Sequence, residues 1–318
     1  MTRMTARTTI SQRPVPVSLR WGVALAFATA LISGVSIFLN GFAVRQLPDA
    51  VVFTTLKNAV AALVLVGVAA MSVRPAEIRA IDRLSWGRLA VIGIVGGSLP
   101  FVLFFAGLAQ ASAPSAAFIH KTLFVWVAIL AVPFLGERLG MAQIGALAVL
   151  LGGQFLAIPA NSVAWGTGET MIAAATLLWA VEAILAKRLL ATVPSAVVGA
   201  GRLGIGLVVL AGYLAVSGRA GAVAALSPVQ WAWVIGTGLI LSAYVATWFA
   251  ALRRAPASLV AAVLVAGAPI TALLQALQAG AVPATPALAG QLLIGAAVIL
   301  LAAIAVRAPG LRPAAVPV

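Results

Sequence analysis

Apolar residues run along this chain for about twenty positions at a time, broken by short stretches that carry Arg, Pro, Gly or Asp. The runs are continuous rather than alternating every second residue, so they predict helices and not the strands of a barrel. A helix rises about 1.5 Å per residue and the hydrocarbon core of a bilayer is about 30 Å thick, so roughly 20 residues make one crossing. Ten segments meet that length: 21–44, 51–73, 87–109, 113–134, 141–159, 168–189, 195–216, 229–251, 256–278 and 287–307. Stretches such as "GIGLVVLAGYLA" supply the small residues that let membrane helices approach closely.

Composition agrees with the pattern. Of 318 residues, 63% are hydrophobic and 8% charged, and the mean hydropathy is +1.16, far from the makeup of a water-soluble domain. The expectation is an all-α polytopic membrane protein whose surroundings are the lipid bilayer. The net charge of +14 does not point to nucleic acid, because the cations mark the two membrane sides. Arg3, Arg7, Arg13, Arg20, Arg74, Arg79, Arg83, Arg88, Arg138, Lys187, Arg188, Arg253, Arg254, Arg307 and Arg312 all fall on one side of a ten-span chain. The opposite loops carry Arg45 and Arg219. The positive-inside rule then places both termini in the cytoplasm, with residues 1–20 and 308–318 as cytoplasmic tails and the first span uncleaved. Trp21, Trp86, Trp165, Trp231 and Trp233 fall near span ends, where interfacial anchors belong. The chain has no cysteine, which excludes disulfides, cysteine-ligated zinc and thiol catalysis within it.

The chain also repeats itself. Residues 28–39, "ATALISGVSIFL", register against 174–185, "AATLLWAVEAIL", without a gap. Residues 57–70 register against 202–215, which sets Lys57 on Arg202 and Gly67 on Gly212, and "GLAQASAPSAA" at 107–117 registers against "ALRRAPASLVA" at 251–261. Five spans per copy is an odd number, so the second copy enters the membrane from the opposite side. Inverted repeats are a construction of secondary transporters, in which two related bundles rock about a site near the midplane.

At these residues the chain resembles a known family. "LAQASAPSAAF" followed by "FLGERLGMAQIGALAVLLGG", and in the second copy "LRRAPASLVAAV", Pro269 and "LAGQLLIGAAVILLA", are similar to the two repeats of an EamA-type permease in the drug/metabolite transporter superfamily. The most specific piece is Gly136-Glu137-Arg138-Leu139. The resemblance implies ten transmembrane helices as two inverted five-helix repeats, 21–160 and 168–307, in the inner membrane of a bacterium. Three departures stand out: Gly280-Ala281 replaces Gly136-Glu137 in the second copy, Ser33 stands where the second copy has Trp179, and Pro269 has no counterpart near Phe124.

Ionisable side chains inside hydrocarbon are expensive and mark functional positions. Five lie within the expected spans: Lys57, His120, Lys121, Glu182 and Arg202. Lys57 and Lys121 each sit roughly 10 Å below the outer boundary, with no acid near either in sequence. Two readings are open, an electropositive half-cavity for an anionic group, and lysines that snorkel to the interface. His120 could change charge near neutral pH or serve as a packed core histidine. Glu182 and Arg202 lie at equal depth on neighbouring antiparallel helices and can pair, either as a structural bridge or as a proton-coupling site. Glu137 reads as an element of fold or topology. Trp126, Trp179, Trp248 and Tyr244 could wall a cavity or pack in the core, and Asn40 and Asn58 could add polar groups to it.

Together these features predict a secondary transporter, an exporter of small metabolites, amino acids or amphipathic drugs, driven by protons or another ion. The chain lacks a G-x-x-x-x-G-K-[ST] nucleotide loop, so no ATP site is expected, and neither a cofactor nor a metal is called for. Alternatives are a lipid translocator or a membrane scaffold without transport. An intramembrane enzyme fits poorly: Ser98 with His120 is the sole faint pair for a protease, and paired carboxylates or a set of metal ligands are missing.

Overall fold

The computed structural model describes residues 19–47, 49–158 and 165–307. Among the described residues fifteen helices follow one another: α1 (Leu19–Gln46), α2 (Ala50–Ser72), α3 (Pro75–Arg79), α4 (Arg83–Gly97), α5 (Leu99–Leu108), α6 (Ala113–Lys121), α7 (Leu123–Leu135), α8 (Met141–Leu156), α9 (Thr167–Leu189), α10 (Ser195–Val216), α11 (Gly221–Ala224), α12 (Pro228–Arg254), α13 (Ala257–Leu264), α14 (Gly267–Ala279) and α15 (Thr285–Arg307). There is no strand among the described residues. The tails expected at 1–20 and 308–318 lie outside the described residues, except that Leu19 and Arg20 open α1.

Among the described residues nine segments are long and apolar enough to cross a membrane, and α8 is a shorter tenth of 16 residues. At about 1.5 Å per residue α8 covers some 24 Å, less than the hydrocarbon thickness. Three of the expected continuous spans are broken. Ser98 separates α4 from α5, two residues before Pro100; Thr122 separates α6 from α7; and Val265-Ala266 separates α13 from α14, before Pro269. Proline lacks the N–H that would close the turn, which accounts for the first and third breaks. The second has no proline, and there the Thr122 hydroxyl donates to the Ile119 carbonyl at 2.7 Å. In the register of the two copies Thr122 falls on Ala266, so both repeats break the same span at the same place.

The helix ends follow from the acids. Of the six Asp and Glu residues, five sit at helix N-termini, where unpaired N–H groups and the helix dipole favour negative charge. Asp49 caps α2 and Asp82 caps α4. Glu77 and Glu169 lie in the first turns of α3 and α9, and Glu137 reaches the start of α13. Glu182 alone sits in the body of a span. Gly136 and Gly280 end α7 and α14 with φ of 65° and 62°, a left-handed cap that glycine adopts without strain.

Packing does not follow the repeats. Span α4/α5, span α6/α7, α9 and α10 contact one another closely, as do α1, α2, α12 and span α13/α14. Each four-span bundle therefore takes two spans from either copy. The bundles meet along α2 against α10 and α7 against α13, while α8 and α15 pair with each other. Glycines set the close approaches. A Cβ at Gly97 would lie 2.3 Å from the Arg202 carbonyl oxygen, and one at Gly290 would lie 2.5 Å from the Ala157 nitrogen.

Candidate functional site

The site is built around a carbonyl. Pro100 has no N–H to offer the oxygen of Gly96 four residues earlier, and α4 ends at Gly97. Two side chains from the second repeat donate to that oxygen instead: the Arg202 Nη2 at 3.0 Å and the Trp179 Nε1 at 3.1 Å. Arg202 also donates through Nε to Glu182 Oε1 at 2.9 Å and through Nη2 to Oε2 at 3.3 Å. Both side chains are buried. Glycine at 96 is required by this geometry, since a Cβ there would fall 2.2 Å from the Glu182 Cγ. The pair lies seven residues from the near ends of α9 and α10, roughly 10 Å below their shared turn.

Trp179 links the pair to an aromatic cluster. Its ring centroid is 4.9 Å from His120, 5.6 Å from Phe104 and 5.4 Å from Phe101, and His120 lies 5.2 Å from Phe104. The Nδ1 of His120 is buried without a hydrogen-bond partner. Lys121, at the end of α6, is half-buried. Thus Glu182 and Trp179 of α9, Arg202 of α10 and the distant His120 of α6 form one continuous group within the first bundle.

Lys57 sits in the second bundle, on α2. It is half-buried, its Nζ lies 5.1 Å above the Phe53 ring, and among the described residues no carboxylate pairs with it. The contrast with Arg202 is local. In the register of the two copies Glu182 falls on Ser36, so the first copy has a hydroxyl where the second has the counter-charge. Around Lys57 the buried oxygens of Thr54, Thr55 and Asn58 lack partners, as does Asn40 Oδ1 on α1. The amide nitrogens of Asn58 and Asn40 are used locally, by the Thr54 carbonyl at 2.8 Å and by Ser36 Oγ at 3.2 Å. Buried polar atoms without partners cost about 1–3 kcal/mol each, and they mark where water or a ligand would be satisfied. Thr54 lines a crevice with Val51, Phe101, Val102, Phe105 and Leu210, and Phe101 carries that crevice to Trp179.

The other expected residues are placed as follows. Tyr244 on α12 is half-buried and stacked 6.4 Å from the buried Trp248. Trp126 is 39% exposed on the outer surface. Ser98 donates to the Ile94 carbonyl at 3.0 Å. Among the described residues no three His, Asp or Glu side chains come together as metal ligands would. Sequence reasoning passed over Gly96, Pro100, Phe101, Phe104 and Thr54; the signal for the first two was the string "GGSLP", a helix break inside an apolar run.

Comparison with known proteins agrees with this architecture. No curated protein matches the chain in sequence. A crystal structure of a protein 18% identical in sequence shares the fold, with a TM-score of 0.73 over 90% of this chain and 99% of that one. The sequence model of the EamA-like transporter family matches residues 20–158 and again residues 166–303, nearly the whole of the chain in two copies. The chain therefore belongs to the EamA-like transporter family, and it is a multi-pass membrane transporter of the drug/metabolite type.

Proposed function

We propose that this transporter works by alternating access between its two four-span bundles, exporting a small solute that carries an anionic group on an apolar or aromatic body. Small metabolites, amino acids and amphipathic drugs of that kind fit. The observation that carries the reading is Lys57, a half-buried cation on α2 with no counter-charge among the described residues and with the orphaned oxygens of Thr54, Thr55 and Asn58 on the same helix; α2 packs against α10, which carries the paired Arg202. A carboxylate from the solute would supply the missing partner, and charge-assisted bonds of this kind are strong where water is scarce. Aromatic rings one step away would receive the apolar part.

The energy source is a proton gradient. Glu182 is the carboxylate in the body of a span, and its proton occupancy decides whether Arg202 stays paired. For export against an entering proton, solute and proton exclude each other: arrival of a proton at Glu182 breaks the Arg202 pair and goes with release of the solute, and loss of the proton restores the pair and goes with solute binding. The arginine-rich face is the cytoplasmic one, in the inner membrane of a bacterium, with both termini on that side.

The test is flux in proteoliposomes, screened over amino acids, small organic acids and amphipathic drugs, with and without a pH gradient. Movement of an anion-bearing solute that accelerates with an opposing proton gradient is expected. Lys57→Ala should raise the KM for that solute by roughly tenfold or more, the weight of one charge-assisted bond. Flux indifferent to the gradient would remove the proton, and an unchanged KM would remove Lys57 from the site.

A further inference from the structure

The two ends of the bundle interface are closed in different ways. At the arginine-rich end, Glu137, just past α7 in the first bundle, accepts the N–H of Ala257 at 2.5 Å and of Ser258 at 3.2 Å, and the Ser258 hydroxyl. These are the first N–H groups of α13 in the second bundle. A carboxylate there meets both unpaired donors and the positive end of the helix dipole. Lys187, near the end of α9 in the first bundle, donates to the carbonyls of Leu252 and Ala255, the latter at 2.8 Å. These carbonyls close α12 in the second bundle, the negative end of its dipole. One anion and one cation from one bundle thus grip the two sides of a single turn in the other, residues 252–258.

At the opposite end the described residues join the bundles through one exposed ion pair, Arg219 Nη1 after α10 to Asp49 Oδ1 before α2 at 3.5 Å, a contact that solvent weakens and that grips no helix turn across the interface. In the register of the two copies Glu137 falls on Ala281, and Lys187 falls on Gly41, two residues beyond the matched stretch. Burial differs in step. Ala257–Val263 of α13 are buried without exception, whereas the corresponding stretch of α6 leaves Ala117 exposed and Phe118 half-buried. The crevice lined by Thr54, Phe101 and Phe105 lies toward this looser end.

We infer that Glu137 and Lys187 form a latch that holds the solute-free transporter closed at its arginine-rich face, so that the resting protein offers its site to the opposite side. The inference rests on the alternating-access reading proposed above. A single sequence written twice would give two states of similar energy; charges present in one copy's clasp and absent from the other's tip that balance. Solute or proton binding must then release the turn at 252–258 before the arginine-rich side opens, since a ligand moves such an equilibrium only by its differential affinity for the two states.

The chain contains no cysteine, so paired cysteines take spin labels at chosen positions alone. Arg20→Cys with Ala191→Cys reports the arginine-rich end, and Ala109→Cys with Val282→Cys the other; all four residues are exposed. Electron–electron distances are measured in nanodiscs, without solute, on the otherwise native chain, on Glu137→Gln with Lys187→Met, and on Ala281→Glu. For the native chain one narrow distance is expected at the arginine-rich end. The latch variant should add a longer distance there and a shorter one at the far end, with the ratio of closed to open moved by roughly tenfold or more. Ala281→Glu, which leaves the latch residues intact and stands in for a latch variant that fails to fold, should move the populations the same way. Distances unchanged in the latch variant, or in Ala281→Glu, overturn the inference. Failure of the transport reading is seen separately, as absence of flux for every solute by the native chain.

Discussion

Replacing Glu182 by Leu tests the energetics of the buried pair most directly. The guanidinium of Arg202 makes two bonds to the carboxylate, at 2.9 and 3.3 Å, and one to the Gly96 carbonyl at 3.0 Å. Leu removes the first two and leaves a cation buried against a single neutral acceptor. Hydrogen bonds to charged groups contribute about 1.5–3 kcal/mol each, and breaking a buried pair by deleting one partner costs about 3–5 kcal/mol. A loss near 4 kcal/mol of unfolding free energy is therefore expected. The double variant Glu182→Leu with Arg202→Met removes the stranded charge, and Trp179 still satisfies Gly96. Its stability should return to within about 1 kcal/mol of the native chain, roughly 3 kcal/mol above the Glu182→Leu variant, and the Arg202→Met variant completes the cycle from which the coupling energy is taken. Equilibrium unfolding in mixed micelles, followed by circular dichroism, measures all four corners. A single variant within about 1 kcal/mol of the native chain would refute the reasoning. The double variant also separates structure from transport: folded and without proton-driven flux, it assigns the pair to coupling; folded and active, it leaves the pair a bridge between α9 and α10.

Gly290→Ala should destabilise by about 1–3 kcal/mol, because the new Cβ meets backbone atoms of Gly153, Leu156 and Ala157 that cannot rotate away, while Gly295→Ala, with open space around it, should be neutral or slightly stabilising in the same unfolding assay. Lys121→Ala should raise the KM for an anionic solute by less than Lys57→Ala does, since Lys121 lies beside His120 and away from the orphaned oxygens of α2; an effect equal to that of Lys57→Ala in the flux assay would contradict this. The Ser85 N–H and hydroxyl, both donating to Asp82, hold its carboxyl below the usual carboxylate range. A depressed folded value means that the cap's contribution is complete above the unfolded pKa and is lost as pH falls through the folded one. Hydrogen exchange at the start of α4 should accordingly quicken, beyond its intrinsic pH dependence, only in the acid range below about 4; equal protection throughout that range would contradict the cap.

Much of the fold could be read from the amino acids because a bilayer removes most alternatives. Every backbone polar group in hydrocarbon must be satisfied internally, so each long apolar run is a helix, and the expected ends of α2, α9 and α10 fall within a residue or two of the observed ones. The breaks at Ser98, Thr122 and Val265 were not legible, since proline within a membrane helix can bend it or stop it, and Thr122 carries no strong signal at all. The pairing of Glu182 with Arg202 follows from equal depth on adjacent helices. Their shared dependence on Gly96 does not, because that residue comes from the other repeat, 86 positions before Glu182 in the chain.

The sequence by itself determined the membrane, the helices, the two copies and the few charges buried within them, because each is a local consequence of hydrophobicity, of spacing or of a repeat in register. Only the tertiary structure decided which spans pack together. The copies exchange partners, so that the bundles are α4 to α7 with α9 and α10, and α1 and α2 with α12 to α14. Periodicity shows that a helix has a face to bury but not which neighbour buries it. That choice is made by shape and by paired charge: glycines that admit a backbone at 97 and 290, a carbonyl freed by Pro100, and a carboxylate at 137 that finds the end of a helix in the other half of the chain.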